Sequence, residues 1–379
     1  MAAAAEKGRP HVRLEELDYD LPSGLIAQHP MEPRDAARLL VYGRGASAAA
    51  AAVDDRLFSD LPSLLHAGDL LVRNDTRVLA ARTFFRRPTG GRLEVLFLRD
   101  RGSETHVGGH GSTATHAGGA APLGPQEWEV LIGGRPRVGE TLALDGEGTW
   151  QLDVLHDLGD GRWLVASPSP QPVVELLERH GHAPLPPYIR APLEDPERYQ
   201  TVFARRPGSA AAPTAGLHFT RRLDDALTAA GVEIVELTLH VGLGTFKPLV
   251  ADVVEDARLH EELFELPSAA WQRVQRAKAD GRRVVAVGTT MVRLLEHAAA
   301  VPPEPTADGL LRGRTSLFIT PGYRFRVVDA LVTNFHLPRT SLLALVMAFC
   351  GVEQTRALYR HAVAAGYRFY SFGDAMLAS

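Results

Sequence analysis

The chain has 379 residues, 45% of them hydrophobic and 23% charged, with a formal net charge of −4. That is the composition of an ordinary soluble globular protein of two domains, or of one large domain with an insertion; it excludes a collagenous or broadly disordered chain and argues against non-specific nucleic-acid binding. The single cysteine, Cys350, excludes an internal disulfide framework and a cysteine-based zinc site, and its apolar run makes it a buried core thiol.

The N-terminus, Met1 to Ala5, runs directly into Glu6, Lys7 and Arg9, so it is a poor signal peptide. The longest uncharged apolar stretch, Thr340 to Val352, falls short of the ~20 residues that a bilayer span needs. A cytoplasmic protein without membrane attachment is expected. Gly45 to Ala52, Gly102 to Pro125 and Val301 to Gly313 lack apolar periodicity and read as loops. His106, His110 and His116 in the second stretch are too loosely spaced for a metal tract.

Between residues 61 and 164 short strands follow one another: Asp69–Val72, Arg77–Ala81, Gly91–Leu98, Trp128–Ile132, Thr149–Leu155 and Trp163–Val165. Strands separated by turn signals, with no helix pattern between them, predict a small inserted β-barrel with a flexible loop near 102–125. From Arg73 to Arg101 eight arginines face three acids. Charge alone favours a solvated sheet face there.

From about Pro172 the pattern alternates helix and strand, which predicts an α/β domain built from residues 1–60 and 165–379. Val173, Leu176, Leu177 and His180 form a helix ended by Gly181, and Leu223, Ala226, Leu227 and Ala230 form one ended by Gly231. Ser268 opens another, closed by Gly281. Strands at Val232–Val235, Arg283–Val287, Val327–Thr333 and within Tyr367–Leu377 run into polar loops. An apolar helix follows Thr340.

The strand ends carry the chemistry. Pro213-Thr214-Ala215-Gly216-Leu217-His218-Phe219 and Thr238-Leu239-His240-Val241-Gly242-Leu243-Gly244-Thr245-Phe246 flank one helix and one strand. Gly288-Thr289-Thr290 opens a helix, where free backbone N–H groups and hydroxyls suit a carboxylate or phosphate, although an ordinary threonine cap is about as probable. Thr333-Asn334-Phe335-His336 closes the set. Loops at one edge of a sheet converge on one pocket. Any one of His218, His240, His260 and His336 alone reads as a structural histidine; four beside Gly, Thr or Asn make at least one functional. Their spacing matches no metal motif, and Gly242-Leu243-Gly244 lacks the third glycine of a dinucleotide site. Asp35 and Asp374 are isolated acids that either bind a cationic group or cap a turn.

Taken together, these motifs resemble the S-adenosylmethionine:tRNA ribosyltransferase-isomerase family of queuosine biosynthesis. The likeness runs through Tyr19-Asp20-Leu21-Pro22, Arg34-Asp35, Asn74-Asp75-Thr76-Arg77, Pro184 to Ile189, the two histidine loops, Val287 to Thr290 with Arg293, Thr333 to Pro338, and Gly373-Asp374-Ala375-Met376. It implies an α/β domain carrying an inserted small β-barrel. It also implies transfer and isomerisation of the ribosyl moiety of S-adenosylmethionine onto 7-aminomethyl-7-deazaguanine at the tRNA wobble position, giving epoxyqueuosine, adenine and methionine. S-adenosylmethionine is then a co-substrate, with no metal or prosthetic cofactor, and the tRNA anticodon loop is the partner; no obligate protein partner is inferred.

On this reading His218 or His336 removes the 5′ proton acidified by the sulfonium, and His240 is the other proton-handling group. Thr289, Thr290 and Arg293 hold the methionine carboxylate. Asp35 and Asp374 position the acceptor amine or ribose hydroxyls. Thr214, Gly242, Gly244, Thr245, Asn334, His260 and Glu262 complete the substrate site, and Arg73, Arg77 and Arg82 become phosphate contacts. Two departures from the family pattern, Ala257 for a histidine and Met291 for a serine, motivate an alternative: a paralogue that uses a small-molecule amine or free deazapurine as acceptor. A non-catalytic RNA-binding module is a third reading, disfavoured because the polar motifs gather at strand ends rather than on an aromatic surface.

Overall fold

The computed structural model describes residues 13–44, 53–101, 125–242, 259, 261–306 and 308–379. The chain divides into two compact units, one taking residues up to Arg77 and from Pro186 onward, the other spanning Val78–Leu185.

The larger unit is built on a mixed sheet that has ten strands among the described residues. At its centre Glu233–Leu239, Leu70–Asn74, Val284–Val287 and Ala330–Asn334 run parallel. One flank continues antiparallel through Glu262–Pro267 and Leu310–Thr315. The other continues through Ala375–Ala378, Arg38–Tyr42 and Val53–Leu57. Successive side chains of the central strands enter opposite apolar layers. Leu70, Val72, Val284, Ala286 and Leu331 pack on one side; Leu71, Val285, Val287, Ala330 and Val332 pack on the other. Burial on both faces is why these strands read as unbroken apolar runs rather than as alternation.

Helices cover the layers. Arg221–Ala229 is capped by Thr220, whose side chain accepts from the Leu223 N–H, and Ser341–Cys350 is capped in the same way by Thr340. The latter helix is buried around almost its whole circumference. Glu296, fully buried on the helix Thr289–Ala300, accepts from the backbone N–H groups of Arg326, Val327 and Val328 at 2.8–3.0 Å. It thereby fixes the chain as it enters the strand Ala330–Asn334. Among the described residues no single helix is long and apolar enough to cross a membrane.

The smaller unit is a closed antiparallel barrel of the strands Arg82–Arg86, Arg92–Asp100, Gln126–Ile132, Thr141–Leu144, Gln151–Gly159 and Arg162–Ser167. Phe97 stacks on Trp150 inside it, and Phe85 meets the same indole edge-on. Closure gives each described barrel strand a neighbour on both sides.

The units are divided differently from the expected 61–164 insertion. Leu70–Asn74 is a central strand of the large sheet, buried at all five positions, and not a barrel strand. The helix Val173–His180 falls within the barrel unit. The segment expected as a strand at 77–81 pairs only at Thr76–Val78, in a two-stranded sheet with Arg206–Ser209. The expected loop at 45–52 and nearly all of that at 102–125 lie outside the described residues.

Leu331 is fully buried in a central strand, so Leu331→Ala should lower stability by about 2–5 kcal/mol through lost burial and the cavity it leaves. Urea unfolding of the two proteins measures this directly.

Candidate active site

Three chain segments reach the carboxyl ends of the central strands, where open α/β sheets bind ligands. The first is the turn Thr214–His218, buried from Ala215 onward. Gly216 sits in it because a Cβ there would come within 2.9 Å of Thr201 Cγ2 and 3.0 Å of the Phe203 ring. The second is Gly288, which leaves the strand Val284–Val287 at φ +86° and hands the chain to the helix Thr289–Ala300. That helix has no side-chain cap. The third is Asn334, the last residue of Ala330–Asn334.

These segments enclose a recess of about 350 Å³, its solvent-open space included, whose polar wall is Thr214, Thr289, Thr290, Thr333 and Asn334 and whose apolar wall includes Val241 and Leu342. Its described lining carries no charged side chain. Two buried polar atoms of the lining have no hydrogen-bond partner among the described residues: the Thr290 hydroxyl and the Asn334 carbonyl oxygen. An unpaired buried polar atom costs about 1–3 kcal/mol, a cost that a ligand relieves.

The other half of the Asn334 side chain is fully committed. Nδ2 donates to the Tyr370 carbonyl at 3.1 Å and faces His218 Nε2 at 3.2 Å. A carbonyl only accepts, so the nitrogen of the amide points this way, and His218 Nε2 must accept. The His218 ring lies against Phe58 at 4.9 Å and is buried. Burial, reinforced by Arg368, pushes its pKa down to about 3. It is therefore neutral at physiological pH, with its single ring proton on Nδ1.

His218 also borders a second hollow, of about 250 Å³, with Arg34, Arg198 and the segment Ser371–Gly373. Arg34 donates to the carbonyls of Gln200 at 2.6 Å and Glu197 at 2.9 Å, and Arg198 pairs with Glu32. Sequence reasoning missed this hollow. Arg34 was legible as part of a motif, but its neighbour Asp35 drew the functional role.

The other expected site residues separate from the recess. His336 binds the adjacent Thr333 hydroxyl through Nε2 at 2.9 Å and has no place on the recess wall; burial lowers its pKa to about 3. His240 binds Thr76 through Nδ1 at 2.9 Å, away from either hollow, and burial lowers its pKa as well. Arg293 is buried against Glu262 and the Leu317 carbonyl, and Glu262 also accepts from the Gly242 N–H. This ion pair ties the helix to the end of the strand Glu233–Leu239 and does not line the recess. Asp35 accepts from Thr220 and Arg222, and Asp374 from the N–H groups of Arg38 and Arg368, so both carboxylates brace the fold. Gly244, Thr245, His260 and Ala257 lie outside the described residues.

The arginines expected to contact phosphate have partners too. Arg73 is a correction: its guanidinium is buried between Asp224 and Glu236 and over the Phe203 ring, so its charge is spent inside the protein. Arg77 pairs with Glu197 and Arg82 with Glu94, both partly exposed. Met291 is fully buried in the apolar core, so that departure from the family pattern does not touch the recess. Among the described residues no cluster of His, Cys, Asp or Glu is arranged for a metal ion. Cys350 is buried, its thiol pushed up to about 12.

The family model described as "Queuosine biosynthesis protein" matches residues 14–378. The chain belongs to this family. An S-adenosylmethionine:tRNA ribosyltransferase-isomerase of Rubrobacter xylanophilus is 47% identical over 370 residues, covering 97% of each chain. The enzyme of the same name from Moorella thermoacetica is 47% identical over 373 residues, covering 97% of this chain and 99% of its own. The crystal structure of the S-adenosylmethionine tRNA ribosyltransferase of Thermotoga maritima is similar at 33% identity and a TM-score of 0.53, covering 96% of this chain and 100% of that one. The queuosine-family fold is thus the α/β unit with a closed barrel described above.

The buried neutral imidazoles have a measurable consequence. The folded-state pKa of His218 and His336 lies at about 3, below the ~6.5 of an exposed imidazole. Between these values the unfolded chain binds protons that the folded chain does not, so stability falls as pH drops through that window. The urea midpoint should therefore decrease between pH 6.5 and pH 4.5, above the range in which most carboxylates titrate. A midpoint that is flat across this window would contradict the burial of both rings.

Proposed function

We propose that the chain transfers and isomerises the ribosyl moiety of S-adenosylmethionine onto 7-aminomethyl-7-deazaguanine at the wobble position of tRNA, yielding epoxyqueuosine and releasing adenine and methionine. The observation that carries this reading is the full-length likeness to enzymes named for that substrate pair, joined to a recess with two unsatisfied polar atoms beside a buried neutral imidazole.

The chemistry asks for little else. The sulfonium acidifies the adjacent 5′ protons of the ribose, and removal of one by a base starts the loss of adenine. The acceptor amine attacks in its neutral form, which a desolvated site favours. Of the three histidines expected to move protons, His218 alone borders a hollow, so we assign the proton-handling role to it. In the resting protein its Nε2 lone pair faces the Asn334 amide, and the base acts once substrate has rearranged that contact. His336 and His240 take structural roles on this reading.

The anticodon loop presents its wobble base unstacked. On the barrel, Arg86 and Arg92 share the carboxylate of Asp145 and are about half exposed, so this pair keeps a positive charge for a phosphate. They replace Arg73 in that role.

Incubation with S-adenosylmethionine and tRNA carrying the aminomethyl deazaguanine, followed by chromatography, should show adenine; the free base alone should not release it. Adenine with the free base and none with tRNA would favour a small-molecule acceptor, and none with either would remove the enzymatic reading. His218→Gln should cut adenine release by about 10²–10⁴-fold, the usual contribution of a general acid or base, while circular dichroism stays unchanged. With the wild-type imidazole neutral above pH ~5, its ionisation should leave no inflection in kcat/KM between pH 5 and 8.

A further inference from the structure

We infer that the second hollow, bordered by Arg34, Arg198 and His218, is a seat for one phosphodiester of the acceptor strand, and that Arg34 and Arg198 use it to set the modified nucleotide in register with the imidazole. The inference rests on the acceptor proposed above, because the phosphates on either side are the anionic groups such a nucleotide brings with it.

Two guanidinium groups supply the charge. Arg34 opens the short turn Arg34–Ala36 and Arg198 lies on Pro196–Tyr199, so two distant segments bring them to one wall. Arg34 gives Nη1 to the carbonyls of Gln200 at 2.6 Å and Leu217 at 3.4 Å, and Nη2 to that of Glu197 at 2.9 Å. Carbonyls hold the planar group in place and leave its charge whole. Arg198 donates to the Met31 carbonyl at 2.6 Å and pairs with Glu32, whose side chain is 75% exposed. Glu197 turns its carboxylate outward to Arg77. Burial, and after it the like charge of Arg198, hold the Arg34 guanidinium below its ordinary pKa against the pull of Glu32, Asp195 and Glu197. An anion between the two arginines relieves that repulsion.

The facing segment adds neutral donors. The Gly373 N–H closes a turn on the Tyr370 carbonyl at 3.0 Å. Its middle residues, Ser371 and Phe372, are buried, and a turn of this kind makes no use of their N–H groups. Arg368 stands near enough to His218 to lower its pKa, and its Nε and Nη2 are buried without a hydrogen bond among the described residues, with Asp374 no closer than 3.7 Å. Guanidinium forks and backbone N–H groups are the donors that phosphate oxygens take.

His218 places the seat relative to the chemistry. Its Nε2 meets Asn334, a residue of the recess, while His218 itself lines the hollow. A phosphate held here therefore sets its nucleotide beside the group assigned the first proton. Phosphate contacts fix register without reading the base, so Arg34 and Arg198 are positioning residues.

The test is binding of the full chain, without S-adenosylmethionine, to ligated tRNA that carries the aminomethyl deazaguanine and a single neutral methylphosphonate at each anticodon-loop phosphate in turn. Neutralising one phosphate beside the wobble nucleotide should weaken binding roughly ten- to a hundredfold and lower the slope of log K against log salt by about 0.7. In Arg34→Gln the same replacement should cost about twofold or less, because the partner is already gone. A merely structural arginine would leave that loss undiminished. Arg198→Gln gives the same reading if Arg34→Gln folds poorly, and the methylphosphonate series on the wild-type protein stands on its own. Three results would overturn the seat: no sensitive phosphate beside the wobble nucleotide, even with submillimolar binding of inorganic phosphate; a methylphosphonate loss undiminished in both variants; or variants that weaken S-adenosylmethionine alone, which would give the hollow to the donor. Adenine release is read separately. Release without this coupling removes the seat alone, and coupling without release removes the proposed activity alone.

Discussion

Everything at the site depends on how one amide is divided. Asn334 gives both hydrogens of Nδ2 to fixed acceptors, the Tyr370 carbonyl and His218 Nε2, and so presents its oxygen to the recess. That division sets the tautomer of His218 and the polarity of the pocket wall together. Reversing the amide would place an N–H₂ in the recess and set its oxygen against the lone pairs of the Tyr370 carbonyl and of His218 Nε2. The fold works to prevent this. Asn334 ends a central strand buried on both faces, and the entry to that strand is gripped by Glu296 through three backbone N–H groups.

The sheet explains why the site forms from distant segments. Parallel strands deliver their carboxyl ends to one edge, so the turns after Val287 and Asn334 meet although more than forty residues separate them. The turn Thr214–His218 joins them because Gly216 lets it pass close to Thr201 and Phe203. Polar groups left unsatisfied in such a place are costly to keep. Among the described residues, Thr290 and Asn334 are the two of the recess lining that stay unsatisfied.

Much of this was legible in the sequence, because strand–loop–helix grammar and the Gly-Thr-Thr and Thr-Asn-Phe-His motifs report local structure directly. The α/β class, the helix starts at Ser268 and Thr289, and the meeting of Thr214, Thr289, Thr290 and Asn334 all follow from it. What was not legible is where a side chain points once burial decides. Arg73 looked available for phosphate because sequence does not show Asp224 and Glu236 closing over it. Arg293, one helical turn beyond Thr289 and Thr290, looked like a ligand residue, yet its position on the helix faces Glu262. The four histidines looked equivalent. Of the three described, only His218 borders a hollow, since His336 is satisfied by its neighbour Thr333 and His240 by Thr76. Leu70–Asn74 was misassigned for a related reason: a short apolar strand looks the same in a barrel and in a buried sheet.

The most direct test is nitrogen NMR of protein labelled with ¹⁵N-histidine, with and without S-adenosylmethionine. The account predicts that His218 is a neutral ring with an unprotonated Nε2 from pH 8 to pH 5, and that the ligand shifts its resonance through the shared Asn334 amide while His240 stays still. A His218 ring that titrates near 6.5, or one that ignores the ligand, would contradict it.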